Sequence, residues 1–392
     1  MRKLSVLVIH NQYQQPGGED AVVRAEIEML QRAGHRVVPF VRSNTAIAEY
    51  NLTQKAALFV NTTWNRSTHA HLRKLIAKER PDVVHCHNLM PLMSPSVYEA
   101  CKSADVPVVQ TLHNYRLLCP AATLYRSGQA CDNCLRGLCS AVMRGCYRNS
   151  HLQTAAVAVM LGTHRRLGTW ECSVDAYVAL SQFAHDRFLA GGLPAGKVHV
   201  KPNFLSDNPM PRESPGDYGL FVGRLSPEKG VLEMLQVWLQ LAHIPLVVVG
   251  GGPLFEQAAR LVCRSGCTHI KLLGQLNGSD TRAQMQHARF LVFPSRWYEP
   301  FGMALIEAAA CGVPALAANI GGVPELVGDG QTGLLFDPDN PDELAEKANW
   351  AWAHPVEMSA MGSAARQRYR ERYTPEKNYE LLMNIYQAAL SN

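Results

Sequence analysis

No stretch of these 392 residues is apolar for long enough to cross a bilayer, which takes about 20 residues; the longest later run, 155–162, falls well short. Met1-Arg2-Lys3 leads into the short run Leu4-Ser5-Val6-Leu7-Val8-Ile9. That run is too brief for a signal-peptide core and suits a buried first strand. A cytoplasmic protein is the expectation, with room for peripheral contact at the inner face of the membrane. Charge is also scarce: Asp, Glu, Lys and Arg make up 18% of the chain, and the formal net charge is +5. That balance favours anionic ligands weakly and excludes the dense basic face of a nucleic-acid binder. Low-complexity segments and repeats of 20–50 residues are missing, so long disordered tracts and solenoids are excluded. A spaced Gly-x-Gly-x-x-Gly followed by a strand-end acid is missing too, which argues against a nicotinamide-dependent oxidoreductase. The eleven cysteines are odd in number, and a disulfide framework does not suit a reducing compartment. Cys86, Cys101, Cys172 and Cys311 sit singly in apolar or helical runs, as small buried hydrophobes do.

What the sequence does contain is a regular alternation of short apolar runs and helical periodicity. Strands are expected at 4–10, 36–41, 56–61, 82–87, 108–113, 176–181 and 198–203, then at 219–224, 246–250, 270–273, 290–294, 313–317 and 333–336. Most are continuous apolar runs bounded by Gly, Pro or Asn, the pattern of parallel strands covered on both faces. Helical patterns fill the gaps, for example 21–33, 72–78 and 342–353. This order predicts a doubly wound α/β chain. A break rich in Ser, Asp, Asn, Pro and Gly at 205–217 divides it into two similar halves. The expected domains are 1–205 and 206–375, with a helix at 376–392 returning to the first. Ligands of open α/β sheets bind beyond the carboxyl ends of the strands, so two such domains predict one deep cleft.

Three segments carry chemistry. Gly17-Gly18, between the first strand and the helix near Asp20, either admits an anion to backbone N–H groups or is a structural turn. Phe221-Val222-Gly223-Arg224-Leu225-Ser226-Pro227-Glu228-Lys229-Gly230 sends an arginine fork and a lysine point charge out of one strand end. That pair suits a diphosphate, or else forms a solvated loop with a Glu228–Lys229 surface pair. The third segment runs Phe293-Pro294-Ser295-Arg296-Trp297-Tyr298-Glu299-Pro300-Phe301-Gly302-Met303-Ala304-Leu305-Ile306-Glu307. Its helix is expected to begin near Phe301 and stop at Gly312, placing Glu299 in the strand-end loop and Glu307 two turns along an apolar helix. An unpaired carboxylate there is costly. Vicinal hydroxyls of a ribose or hexose supply the missing donors; so do structural salt bridges.

Glu299 and Glu307 reproduce the E-x7-E motif, and here the chain resembles the retaining family 4 glycosyltransferases of GT-B fold. The resemblance also takes in Gly17-Gly18, Gly223-Arg224, Lys229-Gly230, Val249-Gly250-Gly251-Gly252-Pro253, Leu273-Gly274-Gln275-Leu276, Gly321-Gly322-Val323-Pro324-Glu325 and Asp329-Gly330-Gln331-Thr332-Gly333. It implies two Rossmann-like domains facing across a cleft. It implies that Glu299 holds the transferred sugar, Glu307 the nucleotide ribose, and Arg224 and Lys229 the diphosphate. Backbone N–H groups at Gly17, Gly18, Gly302 and Met303 assist, with Phe301 beside them, and the backbone at Gln275 and Leu276 meets the base. His113, in Leu112-His113-Asn114-Tyr115, matches the histidine beside the reacting sugar. The donor implied is a UDP-sugar, and the acceptor a saccharide or lipid-linked saccharide in polysaccharide or glycoconjugate assembly. No Asp-x-Asp motif adjoins these residues, so no catalytic metal is implied. A nucleotide-sugar epimerase and a non-catalytic sugar-nucleotide scaffold are the competing readings.

Residues 116–148 depart from the minimal family pattern. Cys131-Asp132-Asn133-Cys134 is a C-x2-C knuckle flanked by Cys119, Cys139 and Cys146. Cys119, Cys131, Cys134 and Cys146 are the set for a structural zinc; a reduced, metal-free loop or adventitious disulfides are the alternatives. The segment is basic through Arg116, Arg126, Arg136, Arg144 and Arg148. A second basic stretch, His71-Leu72-Arg73-Lys74-Leu75-Ile76-Ala77-Lys78, is either a membrane-facing helix or a solvated one.

Overall fold

The computed structural model describes residues 2–14 and 17–391. The chain divides into two compact units. One comprises Met1–Leu124, Cys131–Ser206 and Pro375–Asn392; the other comprises Tyr125–Ala130 and Asp207–Thr374.

In the first unit, six strands form one parallel sheet: β1 (Ser5–Gln12), β2 (Arg36–Ser43), β3 (Val83–Cys86), β4 (Val108–Leu112), β5 (Ala176–Ala179) and β6 (Val198–Val200). Their order is β2-β1-β3-β4-β5-β6. Every residue of β3, β4 and β5 is buried, as in strands covered on both faces. Half-exposed β2 carries Pro39, which has no N–H to give a ladder and is tolerated at this edge.

The second unit repeats the design with β7 (Tyr218–Val222), β8 (Leu246–Val249), β9 (Ile270–Gly274), β10 (Ala288–Phe293), β11 (Ala315–Ala318) and β12 (Gly333–Phe336). Their order, β9-β8-β7-β10-β11-β12, is the 3-2-1-4-5-6 arrangement of doubly wound nucleotide-binding sheets.

The helices that matter here are α1 (Gly18–Arg32), α2 (Leu52–Thr63), α3 (Arg66–Glu79), α4 (His151–Arg166), α5 (Met303–Ala310) and α6 (Pro375–Ser391). The strand expected at 56–61 is instead part of α2. Asn51 Oδ1 accepts the Gln54 backbone N–H at 2.9 Å, while Gln54 Oε1 accepts the Asn51 backbone N–H at 2.9 Å. That reciprocal cap starts a helix just before the apolar run. Val60, inside the run, is 73% exposed, so the stretch never enters a sheet. It packs along α4. A short apolar run alone cannot separate these outcomes.

The two units bury separate cores. Val6, Val8, Val83 and Val109 pack with Leu382, Met383 and Tyr386 of α6, while Phe221, Trp238, Val248, Phe290 and Val292 centre the other. One element was not foreseen. Tyr125–Arg126 and Gln129–Ala130 form a two-residue hairpin whose turn, Ser127-Gly128, has positive φ at both positions, as such tight turns require. It belongs to the second unit: Arg296 Nε donates to Gly128 O at 3.1 Å, and the Tyr125 hydroxyl donates to Pro227 O at 3.1 Å.

Candidate active site

In the second unit the loops after β7, β8, β10 and β11 are tied to one another. Leu225 N–H donates to Gly251 O at 2.9 Å, Arg296 N–H to Glu228 O at 2.9 Å, and Gly322 N–H to Glu299 O at 2.8 Å. Two glycines make this possible. Gly230 has φ +66°, and a Cβ there would stand 2.1 Å from Pro294 O; Gly321 has φ +61°, and a Cβ there would meet Glu299 N at 2.5 Å. Loops that close together place their side chains at one sheet end, where α/β folds bind ligands.

Lys229 and Glu299, 70 residues apart, meet here. Lys229 Nζ donates to Glu299 Oε2 at 2.6 Å, and the same oxygen accepts from Ser295 Oγ at 2.9 Å and Trp297 Nε1 at 2.8 Å. Glu299 is 4% exposed. The Lys229 ammonium also lies 5.4 and 5.5 Å from the ring centroids of Phe293 and Trp297, within cation–π range.

Arg224 is exposed, and among the described residues its guanidinium enters no ion pair. Glu307 lies on α5 between Ile306 and Ala308. Burial raises its pKa, Arg282 opposes that and Asp207 adds to it, and no side-chain hydrogen bond reaches it among the described residues. Gly302 caps α5 without a side-chain bond, so first-turn N–H groups are open at Gly302 and Met303. Phe301 is buried with its ring 6.0 Å from that of Tyr373. Gln275 is exposed and Leu276 half-buried, just past β9. An Asp-x-Asp does occur at Asp337-Pro338-Asp339, but Asp339 is taken by Arg296 at 2.6 Å.

In the first unit Gly17 caps α1, and its N–H already donates to Asp20 Oδ2 at 3.0 Å. The capping box thus engages the first of the two glycines expected as anion donors. His113 follows β4. Its Nε2 lies 2.9 Å from His87 Nδ1, with the rings stacked at 5.2 Å. Both histidines line a cavity with Glu19, Asn88, Asn114 and Arg116. Burial raises the Glu19 carboxyl to about 8, although the Tyr13 hydroxyl opposes this.

Behind His87 are Glu26, His85 and Lys201, all under 4% exposed. None of Glu19, Glu26 or His87 was singled out from sequence. The readable signal was the pair His85-x-His87 at the end of an apolar strand, where two imidazoles share one face.

Burial and the neighbouring His85 charge lower His87 to about 3, against the pull of Glu26. A folded-state value below the unfolded 6.5 means that the unfolded chain takes the proton first. Stability is thus present above about pH 6.5 and is lost as pH falls from there toward 3. Melting curves between pH 7 and pH 4 are expected to show a loss of about 1.4 kcal/mol per pH unit from this group. His87→Gln should flatten that dependence; an unchanged slope would refute the assignment.

Cys119, Cys131 and Cys146 all lie within electrostatic reach of Cys134. The Cys134 contact lowers Cys119 to about 6, helped by hydrogen bonds from the Leu124 and Ala121 backbone. A tetrahedral zinc with bonds of about 2.3 Å needs its sulfurs about 3.8 Å apart. Among the described residues no three cysteine sulfurs lie within 4.8 Å of one another. The surrounding basic groups are engaged: Arg116 and Arg148 stack over Tyr147 at 4.8 and 5.3 Å.

Residues 16–208 match the model for Glycosyltransferase Family 4, and residues 210–368 match that for Glycosyl transferases group 1. The chain belongs to glycosyltransferase family 4. An uncharacterized glycosyltransferase of Methanocaldococcus jannaschii is 39% identical over 134 residues, 34% of this chain and 38% of that protein. D-rhamnosyltransferase WbpZ of Pseudomonas aeruginosa is 34% identical over 157 residues, 40% of this chain and 41% of that protein. These matches therefore span less than half the length of the curated relatives. Anabaena HepE, solved in complex with UDP-glucose, superposes with a TM-score of 0.71 at 21% identity, covering 98% of this chain and 100% of that one. Its two parallel six-stranded sheets give this family 4 member the GT-B fold.

Proposed function

We propose that this family 4 protein is a retaining glycosyltransferase that moves a sugar from a UDP-sugar to a saccharide or lipid-linked saccharide acceptor in polysaccharide or glycoconjugate assembly. The observation that carries the reading is the joined Lys229–Glu299 pair beside the uncapped start of α5, with Glu307 on the same helix. Cations and open N–H groups at that strand end suit a diphosphate. Glu307 accepts the ribose hydroxyls, Glu299 those of the sugar, and the backbone at Gln275 and Leu276 meets the base. His113 meets the transferred sugar. Cleavage of the bond between the anomeric carbon and phosphate leaves positive charge on the sugar and negative charge on the diphosphate. Arg224 and Lys229 stabilise the latter. The acceptor oxygen bonds to the anomeric carbon on the face that the phosphate leaves, and its proton passes to the departing phosphate oxygen. No residue is assigned as a covalent nucleophile.

Melting temperatures in the presence of UDP- and GDP-sugars test the donor, since a bound ligand stabilises by mass action. UDP-sugars are expected to raise the melting temperature. A shift with none of them, or inversion of anomeric configuration in the product, would overturn the reading.

No helix among the described residues is long and apolar enough to cross a membrane. Helix α3 buries Thr68, Leu72 and Ile76 and exposes Arg73, Lys74 and Lys78. Contact with an anionic membrane gains about 1 kcal/mol per basic residue near the surface. Cosedimentation with vesicles containing phosphatidylserine is expected at low salt, and to disappear at high salt and on replacing the three with glutamine. No binding at low salt would leave a soluble acceptor.

A further inference from the structure

The polar groups behind His113 form a directed chain. Lys201 Nζ lies 3.1 Å from Glu26 Oε2 and donates to Asn378 Oδ1 at 2.9 Å. On the other carboxylate oxygen, Glu26 Oε1 faces His85 Nδ1 at 3.0 Å and His87 Nε2 at 3.5 Å. Burial by itself would keep Glu26 protonated; Lys201 and His85 outweigh it and hold the carboxyl well below its usual range. An ionised carboxylate only accepts hydrogen bonds, so the ring nitrogens that face it carry the protons.

His85 is held from both edges, with Nδ1 also 2.8 Å from the Tyr386 hydroxyl and Nε2 2.8 Å from Thr111 Oγ1. His87 Nε2 makes no hydrogen bond among the described residues; the charged group it faces is Glu26 Oε1, 3.5 Å away. His87 is neutral at pH 7 and has a single proton, which stands on Nε2 opposite Glu26. Its Nδ1 is then a bare lone pair. His113 Nε2, 2.9 Å away, must be the donor. The remaining group beside His87 is His10, whose ring packs edge-on at 6.2 Å and whose Nε2 is engaged by Asp20 Oδ1 at 2.8 Å. It offers His87 no competing hydrogen bond.

The geometry points to His87 and Glu26 as positioning residues that fix His113 in the Nε2–H form, leaving Nδ1 as the hydrogen-bond acceptor for a hydroxyl of the transferred sugar. This rests on His113 meeting that sugar. A ring nitrogen's protonation is set by the bond that its partner nitrogen makes, which here runs through His87 to a buried carboxylate. Burial and His87 also hold His113 neutral, lowering its pKa well below the usual histidine range. A neutral imidazole accepts a hydroxyl without placing a like charge beside the positive charge that develops on the sugar.

Glu26→Gln puts an amide donor opposite His87 Nε2. His87 then carries its proton on Nδ1, donates to His113, and turns the outer edge of His113 from acceptor to donor. Long-range 1H–15N correlation spectra of the full chain labelled at histidine read this directly, with His113→Gln identifying the signal. The wild type is expected to show Nε2–H with bare Nδ1, and Glu26→Gln the reverse. In turnover, Glu26→Gln and His87→Leu should lower kcat roughly 10- to 100-fold, the usual range for groups that orient a reacting one, with donor KM little changed.

Since Glu26→Gln strands Lys201, a second variant guards against misfolding. His87→Gln can accept from His113 and donate to Glu26, and should recover most of the kcat that His87→Leu loses. An Nδ1–H form of His113 in the wild type, or unchanged tautomer and kcat in Glu26→Gln, would overturn the chain. The Nε2–H form with normal turnover in His113→Gln would instead overturn contact with the sugar, leaving the His87–Glu26 assignment intact.

Discussion

Arg224→Ala is expected to lower kcat roughly 100-fold or more at saturating donor, as loss of a charge contact to a leaving group does, without moving the melting temperature. Arg224 is exposed and enters no ion pair among the described residues, so its removal costs the folded chain nothing beyond the ligand. Lys229→Ala should lower kcat by a similar factor, but not so cleanly. Lys229 is the cation on Glu299, and truncating it leaves a nearly buried carboxylate with only Ser295 and Trp297 as side-chain donors among the described residues. Breaking one side of a buried pair costs about 3 kcal/mol. A melting temperature reduced in Lys229→Ala and restored in Lys229→Ala/Glu299→Gln, with kcat low in both, separates the structural role from the catalytic one. Near-normal turnover in Arg224→Ala at saturating donor would make that residue a surface charge.

Glu299 and Glu307 are expected to fail in different ways. Glu299 is held rigidly by three donors on one oxygen, an arrangement suited to presenting the other to a group whose charge changes during reaction. Glu299→Ala should lower kcat roughly 100-fold with modest change in donor KM. Glu307 has no side-chain hydrogen bond among the described residues, and burial already raises its pKa, so a ligand's hydroxyls would complete its environment. Losing one hydrogen bond to a charged acceptor costs about 1.5–3 kcal/mol. Glu307→Ala should therefore weaken UDP binding, measured by calorimetry, roughly 10- to 100-fold while kcat stays near normal. Equal losses of affinity with unchanged turnover in both variants would defeat the division of roles.

Much of the architecture was open to reading in advance because it rests on local pattern. Apolar runs bounded by Gly, Pro and Asn become buried parallel strands wherever both faces are covered, and twelve of the thirteen expected strands are present. The exception, 56–61, failed because the Asn51–Gln54 cap starts a helix whose apolar residues need only one covered face. The E-x7-E spacing likewise placed Glu299 in a strand-end loop and Glu307 on the following helix, since a helix starts where Pro300 and Gly302 allow it. The hairpin at Ser127-Gly128 had its turn dipeptide in view, but not its attachment to Arg296 and Tyr125's hold on Pro227.

What the sequence determined by itself is therefore the order of strands and helices, the loops that leave the strand ends, and the residue types carried there. Which of those residues touch was decided only in three dimensions. Lys229 and Glu299 are 70 positions apart and read as separate ligands until β7 and β10 set their loops side by side. Glu26, His87, His113 and Lys201 come from four distant segments, and no spacing rule relates them. A buried charge exists only where the fold supplies its partner within hydrogen-bond reach, and that partner is set by sheet order, which short-range patterns do not encode.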